Sequence, residues 1–271
     1  MKELGLRALS GAVYVALVLG AAWLGTEATA LLFLPITVMA ALELRRLQWA
    51  DASAAIPAIQ TGALAVIAYG AWVSTIFFFP APEFPKAIAV ILLALLAFVV
   101  ILLRSGRSDP ATRFGHLLAV VVYITVPMAC AVWMVAIDPM LFIGFMLLLW
   151  TNDTGAYLVG KSIGRNKLMP KVSPGKTWEG LLGGMALTAL VAWSLITYGG
   201  VGPVKEWMIA SVVVSITATI GDLLESAMKR AAGVKDSGKL LPGHGGALDR
   251  FDGYLLAAPA MLLVVHLLMA S

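Results

Sequence analysis

Apolar segments close to the thickness of a bilayer recur along this chain with only short polar breaks. Crossing the hydrocarbon core of a membrane takes about 20 predominantly apolar residues, within roughly 17–25. Nine stretches approach that length: 9–24, 28–42, 57–79, 87–103, 117–137, 140–160, 181–198, 207–228 and 254–270. The chain is 61% hydrophobic and 13% charged, whereas a soluble domain has roughly 45–50% apolar and about 25% charged residues. No single core buries that much apolar surface, so lipid is the solvent. Backbone in lipid must satisfy its own hydrogen bonds, which selects helices. The expectation is an all-α, polytopic transmembrane helical bundle of about nine helices. Its second stretch is the shortest, with room to extend toward Arg45 and Arg46.

Charge placement orients the bundle. With the N-terminus cytoplasmic and the helices alternating, the cytoplasmic breaks hold Lys2 and Arg7, then Arg45 and Arg46, then Arg104, Arg107 and Arg113. The breaks at 161–178 and 229–252 hold the rest, so of 19 Lys and Arg only Lys86 and Lys205 fall outside. This is the positive-inside pattern, and an odd helix count puts the C-terminus outside. The first stretch follows Lys2 and Arg7 as a secretory signal would, but Gly25-Thr26-Glu27-Ala28 is a poor cleavage site, which suits a retained anchor. Outer connections are short. The cytoplasmic loops 161–178 and 229–252 are long, Gly-rich and basic, the kind of loop in which function concentrates. The chain therefore reads as N-terminal membrane helices over 1–137 and a catalytic membrane region over 138–271. The lone Cys130 excludes an internal disulfide or thiolate cluster and suits a small buried hydrophobe.

Three acidic clusters stand apart from this pattern. Asp153, in Asn152-Asp153-Thr154, follows the apolar run 140–150, at a depth where a charge costs at least about 2.5–3.5 kcal/mol. Asp222, Glu225 and Ser226 approach one face of the eighth helix by their three- and four-residue spacing. Glu225 has an i,i+4 partner in Lys229, and Asp222 has none nearby. Asp249 and Asp252 follow His244-Gly245-Gly246 at the start of the ninth helix. Antiparallel eighth and ninth helices would bring Asp222 and Asp249 to one depth, where two carboxylates repel unless protonated or bridged by a cation. Oxygen ligands favour Mg²⁺, and the scattered histidines give no zinc spacing.

Gly243, Gly245 and Gly246 permit close backbone approach, and the helix that follows offers N–H groups to an anion. Together with the basic loops, half of whose charge topology alone explains, these features describe a polyphosphate site. The segment 155–162 satisfies the P-loop pattern, but it occupies the end of a membrane helix whose N–H groups are already bonded. Lys176, in Ser173-Pro174-Gly175-Lys176-Thr177, is expected as a separate phosphate contact. No nucleophile–base–orienter set is evident, which agrees with phosphoryl or nucleotidyl transfer, where positioning and charge neutralisation dominate.

The run from Ser226 through Lys229-Arg230, Lys235-Asp236, Gly238, Pro242-Gly243-His244-Gly245-Gly246 and Asp249-Arg250-Phe251-Asp252 closely resembles the signature of phosphatidate cytidylyltransferases. Asn152-Asp153-Thr154-Gly155-Ala156-Tyr157 and Ser173-Pro174-Gly175-Lys176-Thr177-Trp178-Glu179-Gly180 look like that family's other blocks. The N-terminal half matches in hydropathy only. Ala247 departs from a larger aliphatic residue and Gly175 from a basic one.

The resemblance implies synthesis of CDP-diacylglycerol and pyrophosphate from CTP and phosphatidic acid, with Mg²⁺ required and a monovalent companion such as K⁺ compatible. It implies catalytic roles for Asp222, Asp249, Lys229, Arg230 and Asp153, with Asp222 and Asp249 on the metal. Ser173, Lys176, Thr177, Ser226, Lys235, Asp236, His244, Gly245, Gly246, Arg250 and Asp252 would bind substrate. Asp153 would ligate metal or orient Lys176. A bacterial inner-membrane enzyme with a cytoplasm-facing site and no nucleic-acid partner is expected. Gly180 and Gly184 form a G-x-x-x-G pair suited to a homodimer or to internal packing. The rivals are a CTP-dependent polyprenol or phytol kinase and a cation-coupled transporter.

Overall fold

The computed structural model describes residues 2–49, 55–77, 84–104, 109–199, 204–238 and 245–269. His244, placed above among the substrate-binding residues, lies outside them. The elements are α1 (Lys2–Leu24), α2 (Thr26–Gln48), α3 (Ala58–Phe77), α4 (Phe84–Arg104), α5 (Pro110–Ala119), a π-helical stretch (Val120–Thr125) and α6 (Val126–Ile137). There follow α7 (Pro139–Ile163), β1 (Lys167–Met169), β2 (Ser173–Thr177), α8 (Trp178–Gly199), α9 (Val204–Ala231), the single turn α10 (Leu248–Phe251) and α11 (Tyr254–Met269). Among the described residues seven helices are long and apolar enough to cross a membrane, and Leu9–Leu24 and Ala89–Arg104 are shorter apolar helices. The protein is an all-α polytopic bundle. The apolar stretches of the sequence become helices in the expected order, and α2 continues to Gln48 with Arg45 and Arg46 in its last turn.

Local chemistry sets the boundaries. Gly25 adopts φ 107 between α1 and α2, a left-handed value that a side chain would resist. Asp109 caps α5 by accepting from the Thr112 amide at 3.2 Å, with Pro110 at the first helical position. Asp138 caps α7 in the same way through Met140 N at 2.9 Å, followed by Pro139. Leu92, Leu93, Leu96 and Leu103 of α4 are all exposed. In water that surface would be a liability; in a bilayer it is the lipid-facing side.

The loop 161–178 holds a feature that its sequence did not announce. It contains an antiparallel hairpin in which Lys167 pairs with Thr177 and Met169 with Ser173. An isolated two-stranded hairpin is marginal in water, and here Glu179 of α8 braces it. That carboxylate accepts from Arg165 N at 3.1 Å, from Asn166 N at 3.2 Å and from Asn166 Nδ2 at 2.7 Å.

The chain divides into two compact units. The first comprises Met1–Ala136 and Ala232–Arg250, and the second Ile137–Ala231 and Phe251–Ser271. Residues 229–231 and 251–252 of the 229–252 loop fall in the second unit, and its described residues 232–238 and 245–250 fall in the first. In the first unit Phe33, Leu44, Leu64, Leu117, Ile124 and Met128 are fully buried. In the second the centre is Phe142, Phe145, Met146, Leu148 and Tyr254, with Tyr254 edge-on to Phe145 at 5.6 Å.

Within the second unit α7 and α8 meet along small residues. A Cβ on Gly180 would lie 2.8 Å from Ala156 O, and one on Gly184 would lie 2.8 Å from Asn152 O. The G-x-x-x-G pair is therefore used inside the chain. Gly221 of α9 lies against the backbone of Asp252 and Gly253, which brings the turn bearing Asp252 onto α9 one residue from Asp222.

Candidate active site

In the second unit the site is built around Asp222, on the last turns of α9. Lys176 Nζ lies 2.6 Å from Asp222 Oδ2, with the two side chains 24% and 33% exposed. Ser226, one helical turn on, donates its hydroxyl to Asp222 Oδ1 at 3.1 Å. The partner missing from Asp222's own helix is supplied by β2, which also brings Lys176 Nζ within 3.4 Å of Thr219 O.

Glu225 differs from Asp222, though only three residues separate them. Its side chain is 1% exposed and pairs with Lys229 at 2.6 Å, the i,i+4 partner expected from sequence. A buried ion pair contributes little net stability, but removing one partner strands a charge. Lys229 therefore directs at least one of its three donors inward.

Asp252 completes the acidic end, its Oδ1 accepting from Gly253 N at 2.6 Å. The like charges of Asp222, Glu225 and Asp153 all bear on it. Asp153 is exposed on α7, and its buried neighbour Asn152 has no hydrogen-bond partner for Oδ1. Acidic charge thus gathers at this end of the unit, a setting in which a bound cation would relieve repulsion.

Magnesium fits this donor set. Among the described residues no three His, Cys, Asp or Glu side chains form a ready-made cage. Mg²⁺ usually takes one or two carboxylates and completes its octahedron with water and phosphate oxygens. Asp222, already oriented by Ser226 and paired with an exchangeable lysine, has the chemistry of such a ligand.

Of the hairpin residues nominated from sequence, Lys176 is the one that reaches Asp222. Thr177 is buried and accepts from Gly180 N at 3.1 Å, the geometry of an N-cap for α8. Ser173 is half-buried at the start of β2. The P-loop-like segment 155–162 lies within α7, and Gly155 and Gly160 face α8. Arg230, at the end of α9, is exposed.

In the first unit the glycine turn serves the protein's own carboxylates. Gly245 takes φ 82, and Gly246 N donates to Asp249 Oδ2 at 2.8 Å. Ser237 adds its amide at 2.8 Å and its hydroxyl at 2.9 Å to the same oxygen. The next two amides, of Ala247 and Leu248, donate to Glu43 at 3.0 and 2.9 Å. The N–H groups expected to await a substrate anion are thus engaged by Asp249 and Glu43. Lys235 and Asp236 are exposed, and Arg250 is half-buried with no hydrogen-bond partner for Nε.

Glu43 was missed from sequence, since it reads as one more charge at the end of a helix. It is 5% exposed on α2, and the signal that could have found it was an acid inside an apolar helix, a turn short of the arginines.

The family model described as the cytidylyltransferase family matches residues 5–268. The phosphatidate cytidylyltransferase of Staphylococcus aureus (strain COL) is 42% identical over 121 residues, covering 44% of this chain and 46% of that protein. That of Haemophilus influenzae (strain ATCC 51907 / DSM 11121 / KW20 / Rd) is 44% identical over 118 residues, covering 42% and 41%. That of Bacillus subtilis (strain 168) is 42% identical over 123 residues, covering 45% of each. The chain spans slightly less than half the length of these curated relatives.

Proposed function

Because the chain belongs to the cytidylyltransferase family, we propose that it is a membrane-embedded phosphatidate cytidylyltransferase of phospholipid biosynthesis. CTP and phosphatidate would become CDP-diacylglycerol and pyrophosphate. The supporting observation is the Lys176–Asp222–Ser226 cluster at the acidic end of an apolar helical unit.

The substrate phosphate is an anionic nucleophile, so a strong general base is unnecessary. One of its oxygens forms a bond to the α-phosphorus of CTP as the bond from that phosphorus to the β-phosphate oxygen breaks. Mg²⁺, when bound, neutralises charge on the transferring phosphoryl group. Ser226 fixes the rotamer of Asp222, which would hold the ion. Lys176 would exchange its carboxylate partner for a phosphate oxygen. The resemblance nominates Arg230, Lys235 and Arg250, with Lys229, for the triphosphate and lipid phosphate. The resemblance nominates Asp249 as a second carboxylate on the ion, and a K⁺ companion is compatible with the acidic surroundings.

Label position tests the reading. With α-labelled CTP, label should enter an organic-extractable lipid in step with pyrophosphate release. Lipid labelled from the γ-position, with CDP left in water, would make the protein a kinase, and transport without CTP turnover would exclude both.

We place the site on the cytoplasmic face of the bacterial inner membrane, following the positive-inside asymmetry. A reporter at the C-terminus that fluoresces only in the cytoplasm should stay dark; bright cells would reverse the assignment. A homodimer would require a seam other than the occupied Gly180–Gly184 pair.

A further inference from the structure

We infer that Glu43 is a positioning residue for the signature loop: its carboxylate holds Ser237 and the turn 246–248, and with them Asp249 and Arg250, in the geometry used for cytidylyl transfer. The inference rests on the function proposed above and extends it into the half of the chain without motif resemblance.

Glu43 sits on α2, 5% exposed, with both carboxylate oxygens engaged. Oε1 accepts from Ala247 N at 3.0 Å, and Oε2 accepts from Leu248 N and from Ser237 Oγ, each at 2.9 Å. Glu43 thus acts on α10 as an N-terminal capping carboxylate from a helix far away in sequence, meeting amides that α10 itself leaves open. The surrounding chain is built to admit it. A Cβ on either Gly238 or Gly246 would run into the Glu43 carboxylate, so these two glycines are sites of close approach.

Ser237 links this clasp to Asp249. Its hydroxyl lies 2.9 Å from both Glu43 Oε2 and Asp249 Oδ2, and it has a single proton to donate. Asp249 retains the Ser237 amide at 2.8 Å and Gly246 N at 2.8 Å, which leaves the hydroxyl proton available to Glu43. The Ser237 and Gly246 groups that bond Asp249 Oδ2 therefore belong to, or adjoin, groups that Glu43 fixes. Displacing the Glu43 carboxylate releases the turn and the orientation of Asp249 together.

The test uses the full chain in lipid nanodiscs with Glu43→Gln, Glu43→Asp and Ser237→Ala. Gln replaces one accepting oxygen with a donor that opposes an amide or the hydroxyl, and Asp withdraws the carboxylate by one methylene. The measurements are melting temperature, the rate of tryptic cleavage after Lys235, and kcat and KM for CTP per folded molecule. Losing one buried hydrogen bond should raise cleavage of both Glu43 variants about 10-fold, with a smaller rise for Ser237→Ala. We expect kcat per folded molecule to fall in the same order, by about 10-fold for Glu43→Gln. KM for CTP should move by less than about 3-fold, because Lys176 and Asp222 are untouched.

Wild-type cleavage rates in the Glu43 variants would overturn the inference. So would raised cleavage with unchanged kcat per folded molecule, which would make Glu43 a structural anchor alone. If Glu43→Asp fails to fold, Ser237→Ala and Glu43→Gln carry the same comparison. A wild-type protein without CTP turnover would defeat the proposed function instead, and cleavage would then decide whether Glu43 holds the loop.

Discussion

The C-terminal end of α9 and the turn before α10 each centre on an aspartate that the signature resemblance assigns to the metal, yet the chain treats the two differently. Asp222 takes its bonds from side chains, Lys176 and Ser226, and remains a third exposed. Asp249 takes two of its bonds from main-chain amides, Ser237 N and Gly246 N, inside a clasp completed by Glu43. Side-chain partners can be exchanged for a ligand by rotating a few torsions. Amide partners can be exchanged only by moving the chain. Under the proposed function, Asp222 would serve turnover and Asp249 placement.

The largest effect should come from Asp222→Asn, which keeps size but removes the charge and one accepting oxygen. Turnover should fall by about 10²–10³-fold with little change in melting temperature, as measured with α-labelled CTP. Asp249→Asn should lose comparable turnover but also accelerate cleavage after Lys235, since its amide nitrogen cannot accept. Turnover lost with cleavage unchanged would make Asp249 behave as Asp222 does, and the contrast would collapse.

A smaller effect isolates the frame that carries Asp222. Gly184→Val forces atoms toward Asn152 O and should destabilise the protein by about 1–3 kcal/mol in denaturant or thermal unfolding. Lys176→Met sharpens the idea of an exchangeable partner. A partly exposed pair is worth at most about 1 kcal/mol, so the Mg²⁺ concentration for half-maximal turnover should fall by no more than roughly 5-fold, alongside a lower kcat. An increased Mg²⁺ requirement would mean that Lys176 assists the ion. Smallest of all, Thr177→Ala should cost about 1 kcal/mol of stability through the lost N-cap and leave KM for CTP nearly unchanged. A large rise in KM would return Thr177 to substrate binding.

The parts of the molecule that were legible in the sequence are those governed by local rules. The lipid solvent demands long apolar runs, so the long helices were visible from hydropathy. The Glu225–Lys229 pair followed from i,i+4 spacing on one helix. The hairpin was not visible, because Pro170, Pro174 and Gly175 interrupt any alternation, and its bracing comes from Glu179 on the next helix. Lys176 with Asp222, and Glu43 with Ala247 and Leu248, join residues far apart in the chain. No spacing encodes such pairs. The glycines were read as a cradle for a substrate anion because a protein carboxylate and a phosphate ask the same of a backbone.

The seam between α7 and α8 constrains how a lipid gains access. A Cβ placed on Gly160 would already be 3.5 Å from the Gly180 Cα, and one on Gly180 would be 3.2 Å from the Gly160 Cα. Nonbonded carbons settle at roughly 3.5–4.0 Å, so a methylene chain between these helices would need that clearance on each side. The flank is shut to acyl tails. A diacyl substrate of the proposed reaction would have to approach the Asp222 end past some other wall, and the residues lining that entrance would set the tails it tolerates.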